Sequence, residues 1–146
     1  MLKSFWFWTL LLFILIQFVP KITPTIINNG ENKNEIVAPT EVLNILKTSC
    51  YDCHSNAVDY PWYDYLAPAS WYAQIHVKRA RKALNFTEWN NYDKEKQKEL
   101  LSKIKKATVI RMPLASYLWL HSDAKLSIKD KKLLQKWSLD LKEKIK

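Results

Sequence analysis

The chain has 146 residues, 48% of them hydrophobic, which is enough for one small domain and excludes an intrinsically disordered chain. Its formal net charge is +9, from 23 Lys and Arg against 14 Asp and Glu. The lysines are spread along helical stretches, as on a solvated helix face, so we expect no nucleic-acid partner. A basic surface of this kind instead favours an acidic partner protein or anionic lipid.

The N-terminal segment is predicted to direct export. Lys3 precedes an apolar run from Phe5 to Val19, a pattern typical of a signal segment. No small-x-small cleavage site follows this run, and two tryptophans lie near one end, where interfacial anchors occur. We therefore expect residues 1–20 to form an uncleaved helix that anchors the chain in the inner membrane, with the remainder on the periplasmic side. A cleaved signal peptide is the alternative.

The rest of the chain divides into a linker and one helical domain. Residues 21–38 are polar and rich in Asn, which predicts a flexible linker. Residues 39–146 carry apolar side chains at helical spacing and no strand signal, which predicts an all-α fold. The first predicted helix has Thr40 as N-cap and runs to the first cysteine. Three more are predicted over Pro68–Leu84, Asp93–Ala107 and Pro113–His121. The last predicted helix begins with a capping box formed by Ser127 and Asp130.

Both cysteines of the chain lie in one short motif, Cys50-Tyr51-Asp52-Cys53-His54. Cys-x-x-Cys-His is the signature of covalent c-type haem attachment. Two thiols at this spacing can each form a thioether to one haem vinyl group, and the adjacent imidazole can then bind the iron as proximal ligand. The motif therefore predicts haem c as the cofactor, held by Cys50 and Cys53, with His54 as an iron ligand.

Three other interpretations of the cysteines are open. A thioredoxin-like redox pair would lie near a strand–helix–strand pattern, which the chain lacks. A zinc site needs four ligands, and only His54, His76 and His121 could supplement the two thiolates. A plain disulfide is compatible with the oxidising compartment that export implies.

The domain resembles a known family, the bacterial haem-binding domain with a Cys-x-x-Cys-His motif. The resemblance extends from about Glu41 to Trp137 and rests on these stretches: Cys50–Asn56, Tyr60–Tyr63, Ala67–Trp71, His76-Val77, Leu84–Trp89, Met112-Pro113, Tyr117 and His121. One departure is Lys78-Arg79-Ala80-Arg81, where the family pattern more often has a glycine before the arginine. The resemblance implies a small exported haem protein with a cytochrome c-like helical domain, and it implies no particular reaction.

The second iron ligand is predicted to be Met112. It is the only methionine besides the initiator, and a Met-Pro link between helices resembles the distal-ligand loop of many c-type cytochromes. His121 and His76 are the alternative ligands, and a gap-filling methionine is the alternative role for Met112. Arg111, beside Met112, is the predicted partner of a haem propionate, and a solvated arginine is the alternative.

These residues predict an electron carrier rather than an enzyme. With His54 and Met112 on the iron, the protein would be a membrane-anchored monohaem cytochrome that passes single electrons between partners, without a catalytic site. Two alternatives follow if the second ligand is missing. One is a haem-based sensor or ligand-binding module, and the other is a small peroxidase-like enzyme in which His76 or His121 would transfer protons.

Overall fold

The computed structural model describes residues 2–19, 33–58 and 60–146, and all regular structure in that part of the chain is helical, as predicted. Its α-helices are α1 (Leu2–Ile16), α2 (Thr40–Ser49), α3 (Tyr51–His54), α4 (Ala69–Ala83), α5 (Lys94–Ile110), α6 (Ala115–Leu118) and α7 (Ile128–Lys144). Short 3₁₀ helices lie between them at Trp62–Tyr65, Phe86–Asn91 and Ser122–Ala124.

The hydrophobic core lies where α5 and α7 pack along each other and against α2. Leu100 and Leu101 of α5, Leu134 of α7 and Leu46 of α2 are each at most 1% exposed. Phe86, from the 3₁₀ helix that follows α4, is equally buried and joins this core to the N-terminal half of the domain. Burial of these apolar side chains supplies the main stabilisation of the fold.

Of the two predicted helix caps, one is confirmed and one is wrong, and Asp93 is a further cap at the predicted start of α5. The Asp93 carboxylate accepts a hydrogen bond from the Lys96 backbone N–H at 2.7 Å at the start of α5. Ser127 and Asp130 bond each other reciprocally, which confirms the capping box of α7. Thr40 was the wrong N-cap, because α2 begins at Thr40 itself and Pro39 occupies the cap position without a side-chain bond.

Of three predicted helices, one is confirmed and two differ in extent. The Pro68–Leu84 prediction is confirmed to within a residue at each end by α4, whereas α5 continues past Ala107 to Ile110. The helix predicted over Pro113–His121 is shorter, since α6 covers only Ala115–Leu118. The apolar pattern does not locate the C-terminal end of α5 or the two ends of α6, because no strong capping residue stands there.

The N-terminal helix α1 forms in the predicted apolar run, and its side chains are mostly exposed. Gln17, just after α1, joins this segment to the domain: its amide donates to the Ala67 carbonyl at 3.1 Å and accepts from the Ala67 N–H at 2.9 Å. Among the described residues, no helix is both long and apolar enough to cross a membrane, so the predicted anchor helix is not found. At 1.5 Å per residue, the 15 residues of α1 extend about 22 Å, against about 30 Å of bilayer hydrocarbon.

Part of the predicted linker packs on the domain. Residues 20–32 lie outside the described residues, so the comparison concerns residues 33–38. Ile36 is 3% exposed and its N–H donates to the Phe86 carbonyl at 3.0 Å, while the Asn34 carbonyl accepts from the Asn90 N–H at 2.9 Å. The core therefore begins before residue 39. The sequence did not indicate this, because one apolar side chain in a polar stretch leaves no periodic pattern.

Candidate functional site

The Cys-x-x-Cys-His motif forms a single helical turn, α3. The chain bends at Cys50, whose N–H still bonds Leu46 of α2, and the Cys50 carbonyl then accepts from the N–H groups of Cys53 at 3.2 Å and His54 at 2.9 Å. Residues three and four apart share one face of a helical turn. The spacing of the motif brings both thiols and the imidazole to this one turn, and of the three only Cys53 lines the cavity beside it.

The His54 ring is held in a defined orientation. Its Nδ1 lies 3.0 Å from the Leu84 carbonyl oxygen, and its edge faces the Phe86 ring at a centroid distance of 6.3 Å. Because a carbonyl can only accept, Nδ1 carries the proton in this bond. Burial lowers the pKa of His54, which favours the neutral ring. With Nδ1 bonded to a backbone carbonyl, Nε2 is the nitrogen through which this ring would bind a metal, as in many metal-binding histidines.

The two thiols are neutral and not joined to each other. Burial raises the pKa of Cys50 to about 12, and the neighbouring Cys53 thiol adds to this shift. Burial raises the pKa of Cys53 to about 11, where Asp52 and Asp64 add to the shift and Arg81 opposes it. Nucleophilic redox cysteines require the opposite shift, so these pKa values do not favour the thioredoxin-like interpretation. The described residues contain no group of three or more His, Cys, Asp or Glu that could hold a metal ion.

A cavity of about 570 Å³ opens beside α3, within the size range of cofactor pockets. Cys53 and Asp52 form part of one wall, α4 forms another, and residues from the segments 58–68 and 114–121 contribute the rest. Most of the lining is apolar or aromatic and includes Val58, Tyr63, Tyr72, Val77, Tyr117 and Leu120. Such walls suit a large planar apolar ligand.

Hydrogen-bonded polar groups occupy one side of the cavity. The Tyr117 hydroxyl donates to Asp52 at 2.5 Å, and the Tyr63 hydroxyl lies 2.5 Å from Nε2 of His121. The His121 and Tyr117 rings stack at 4.1 Å. Two tyrosines thus fix His121 in the cavity wall.

The predicted site residues divide into two groups. Cys53, His76 and His121 line the cavity, whereas Cys50, His54, Arg111 and Met112 are not among its lining residues. His76 has its Nδ1 at 2.9 Å from the Tyr72 carbonyl, an arrangement like that of His54.

Arg111 and Met112 lie at the end of α5. Arg111 is exposed at the C-cap position, and Met112 is half-buried, with its N–H bonded to the Ala107 carbonyl. Leu114, two residues further on, does line the cavity. The segment that carries Met112 therefore leads directly into the cavity wall.

Asp64 is a site residue that the sequence analysis missed. It lines the cavity and is 8% exposed, and one of its carboxylate oxygens is buried without a hydrogen-bond partner. Burial raises its pKa to about 6, while His121 opposes the shift and Asp52 adds to it. Nothing in the local sequence signals this, because Asp52 and His121 meet Asp64 only through the fold.

The raised pKa of Asp64 predicts a pH-dependent stability. The folded carboxyl keeps its proton to higher pH than the unfolded one, so this stabilisation is present below about pH 4 and is lost as the pH rises through about 6. We expect Asp64→Asn to stabilise the protein by about 1 kcal/mol at about pH 7.5 and by much less at about pH 4. Urea unfolding at both pH values measures this. The exposed Asp123 provides the control Asp123→Asn, and equal effects of Asp64→Asn at both pH values would contradict the assignment.

The residues of this site fit a covalently bound haem. Cys53 lies in the wall of an apolar cavity of suitable size, and the ring of His54, the next residue, is oriented by the bond from Nδ1 to the Leu84 carbonyl. A family model described as a haem-binding domain matches residues 11–140, which is most of the chain. A search of curated proteins returned no match, and neither did a search of solved structures.

Proposed function

Because the chain belongs to the haem-binding domain family, we propose that it binds its haem covalently through Cys50 and Cys53 and acts as a monohaem c-type cytochrome. The orientation of His54 carries this proposal. Its Nδ1–H donates a hydrogen bond to the Leu84 carbonyl, so Nε2 is the ring nitrogen that would bind iron. When bound, haem supplies a one-electron couple, which suits electron transfer between partners.

The two thiols suit thioether formation. Each S–H would add across one vinyl group: sulfur bonds one vinyl carbon and the thiol hydrogen goes to the other, so no oxidant is consumed. Cys50 and Cys53 are free of each other and protonated, which is the form this addition starts from. A disulfide between them would first have to be reduced.

For the second iron ligand we propose Met112. A half-buried thioether on the segment that leads into the cavity wall supports this choice. The positions of His76 and His121 in the cavity make each of them the direct competitor. A thioether ligand raises the reduction potential, whereas a second histidine lowers it relative to methionine.

Absorption spectra of ligand variants test this assignment. The ferric wild type is expected to show the weak long-wavelength band of methionine–iron bonding, and Met112→Ala should abolish it completely. His121→Ala and His76→Ala serve as matched variants and should retain it. Absence of the band from the wild type would refute Met112 as ligand.

A haem-based ligand-binding module is the second candidate function. The observation that favours it is that two histidines line the cavity while Met112 does not, which is compatible with an open iron position. Rapid carbon monoxide binding by the reduced wild type would support this candidate. Slow binding that becomes rapid only in Met112→Ala would support the electron carrier.

We further propose that the haem domain acts on the periplasmic side of the inner membrane, attached through the apolar N-terminal segment. The exposed side chains of α1 support this, since Phe5, Trp6 and Phe7 are each at least 60% exposed. Cell fractionation tests it: haem should appear in the membrane fraction and be released by detergent. Recovery of the haem protein in the cytoplasm would contradict the proposal.

The basic charge suggests an acidic redox partner. Electron exchange with a small anionic reductant should slow as salt is added, because screening removes the attraction. A rate that is independent of ionic strength would contradict electrostatic steering.

A further inference from the structure

The hydrogen bond that orients the His54 ring is one of four bonds between two distant segments of the chain. His54 bonds the Leu84 carbonyl at 3.0 Å, and Asn56, two residues further on, bonds the stretch 85–88 three times. All four bonds join residues about thirty positions apart. The end of the Cys-x-x-Cys-His motif is therefore held against the segment that follows α4.

Asn56 uses both ends of its side-chain amide in these contacts. The amide NH2 donates to Oε1 of Glu88 at 2.9 Å, and Oδ1 accepts from Nδ2 of Asn85 at 2.8 Å. The backbone N–H of Asn56 donates to Oγ1 of Thr87 at 3.0 Å. Rotation of the amide by half a turn would bring two NH2 groups together and place its oxygen against the Glu88 carboxylate. The side chain of Asn56 is therefore fixed in one orientation.

The Leu84 carbonyl that accepts from His54 is itself fixed through Asn85. A carbonyl and the N–H of the next residue belong to one planar peptide group. The Asn85 N–H of this group donates to the Tyr92 hydroxyl at 3.0 Å. Asn85 is 8% exposed, and its side-chain NH2 is the group that bonds Asn56. Asn56 is therefore connected to the carbonyl at Nδ1 of His54 through a single buried residue.

We propose that Asn56 is a positioning residue that holds the Leu84 carbonyl at Nδ1 of His54. This inference rests on the proposed function, in which Nε2 of the same ring binds the haem iron. A hydrogen bond from Nδ1 to a carbonyl fixes the ring and makes its other nitrogen a stronger ligand. Asn56 thereby strengthens the bond between His54 and the iron without itself binding the metal.

The iron–histidine stretching mode tests this inference, since its frequency follows the strength of that bond. Resonance Raman spectroscopy records the mode in the reduced, haem-loaded full-length protein just after carbon monoxide is photolysed from the iron. Asn56→Asp replaces the NH2 donor by an oxygen that faces the Glu88 carboxylate, so an attraction becomes a repulsion. We expect this variant to lower the frequency and to raise the reduction potential, because a weaker histidine ligand stabilises ferric iron less.

A second substitution is expected to reverse the effect. Asn56→Asp combined with Glu88→Gln exchanges donor and acceptor and restores the bond, so the frequency and the potential should return to those of the wild type. Asn91→Asp is the matched control, because the exposed Asn91 amide donates to the other oxygen of Glu88 and lies outside the four bonds. It places the same new charge beside the same carboxylate and should leave both values unchanged.

The outcomes separate this inference from the haem proposal itself. A wild type without a haem absorption band would refute the haem proposal. A haem-loaded Asn56→Asp variant with an unchanged mode would refute only the positioning role, as would a shift that Glu88→Gln does not reverse or that Asn91→Asp reproduces. If Asn56→Asp does not fold, Asn56→Ser, which removes the amide without adding a charge, decides by the same mode.

Discussion

Replacement of both Cys50 and Cys53 by alanine is expected to abolish covalent haem attachment completely. The chain has no other cysteine, so no thioether can form elsewhere. His54 remains able to bind iron, but a single coordinate bond does not survive denaturation. Haem staining after denaturing gel electrophoresis measures the outcome: a stained wild-type band and an unstained double-variant band at equal loading.

Met112→Ala is the matched control for this loss. Its haem should stay attached through denaturation, because thioethers do not depend on the second iron ligand. Circular dichroism of both variants shows whether helix content is retained. A stained band from the double cysteine variant would contradict the proposed attachment.

Leu134→Ala is expected to lower the free energy of unfolding by about 3 kcal/mol. Leu134 is 0% exposed on α7, inside the core that α7 forms with α5 and α2. Removal of a buried leucine side chain forfeits its transfer free energy and leaves a cavity, with a usual cost of about 2–5 kcal/mol. That is a large part of the roughly 5–15 kcal/mol that stabilises an ordinary domain. Urea unfolding followed by circular dichroism measures the difference.

Leu139→Ala provides the control on the same helix. Leu139 is 40% exposed, so the same chemical change should cost less than about 1 kcal/mol. Similar losses for the two variants would show that the α5–α7 packing does not form the main core.

The local elements of the fold were largely predictable from the sequence. The Ser127–Asp130 capping box, the Asp93 cap and the inward positions Leu100 and Leu101 all follow from interactions within one helix or its first turn. The all-α class follows in turn from these helices. The family match is in accord with the predicted cofactor type.

Features that depend on contacts between distant segments could not be predicted. The His54–Leu84 bond and the Arg81–Ser55 bond join residues about thirty positions apart, and nothing in either local sequence indicates its partner. Arg81 lies in the basic stretch Lys78-Arg79-Ala80-Arg81, and such charge commonly marks only a solvated helix face. The helix of α1 was predictable, but an anchor helix was predicted over residues 1–20, and α1 covers Leu2–Ile16.

The pyridine haemochrome spectrum of the purified, reduced wild-type protein tests the central claim most directly. In this assay the position of the main visible band reports whether the haem vinyl groups have become saturated thioethers. Covalent attachment at Cys50 and Cys53 predicts the c-type spectrum with both vinyl groups saturated. A b-type spectrum with intact vinyl groups, or no haem at all, would contradict the account.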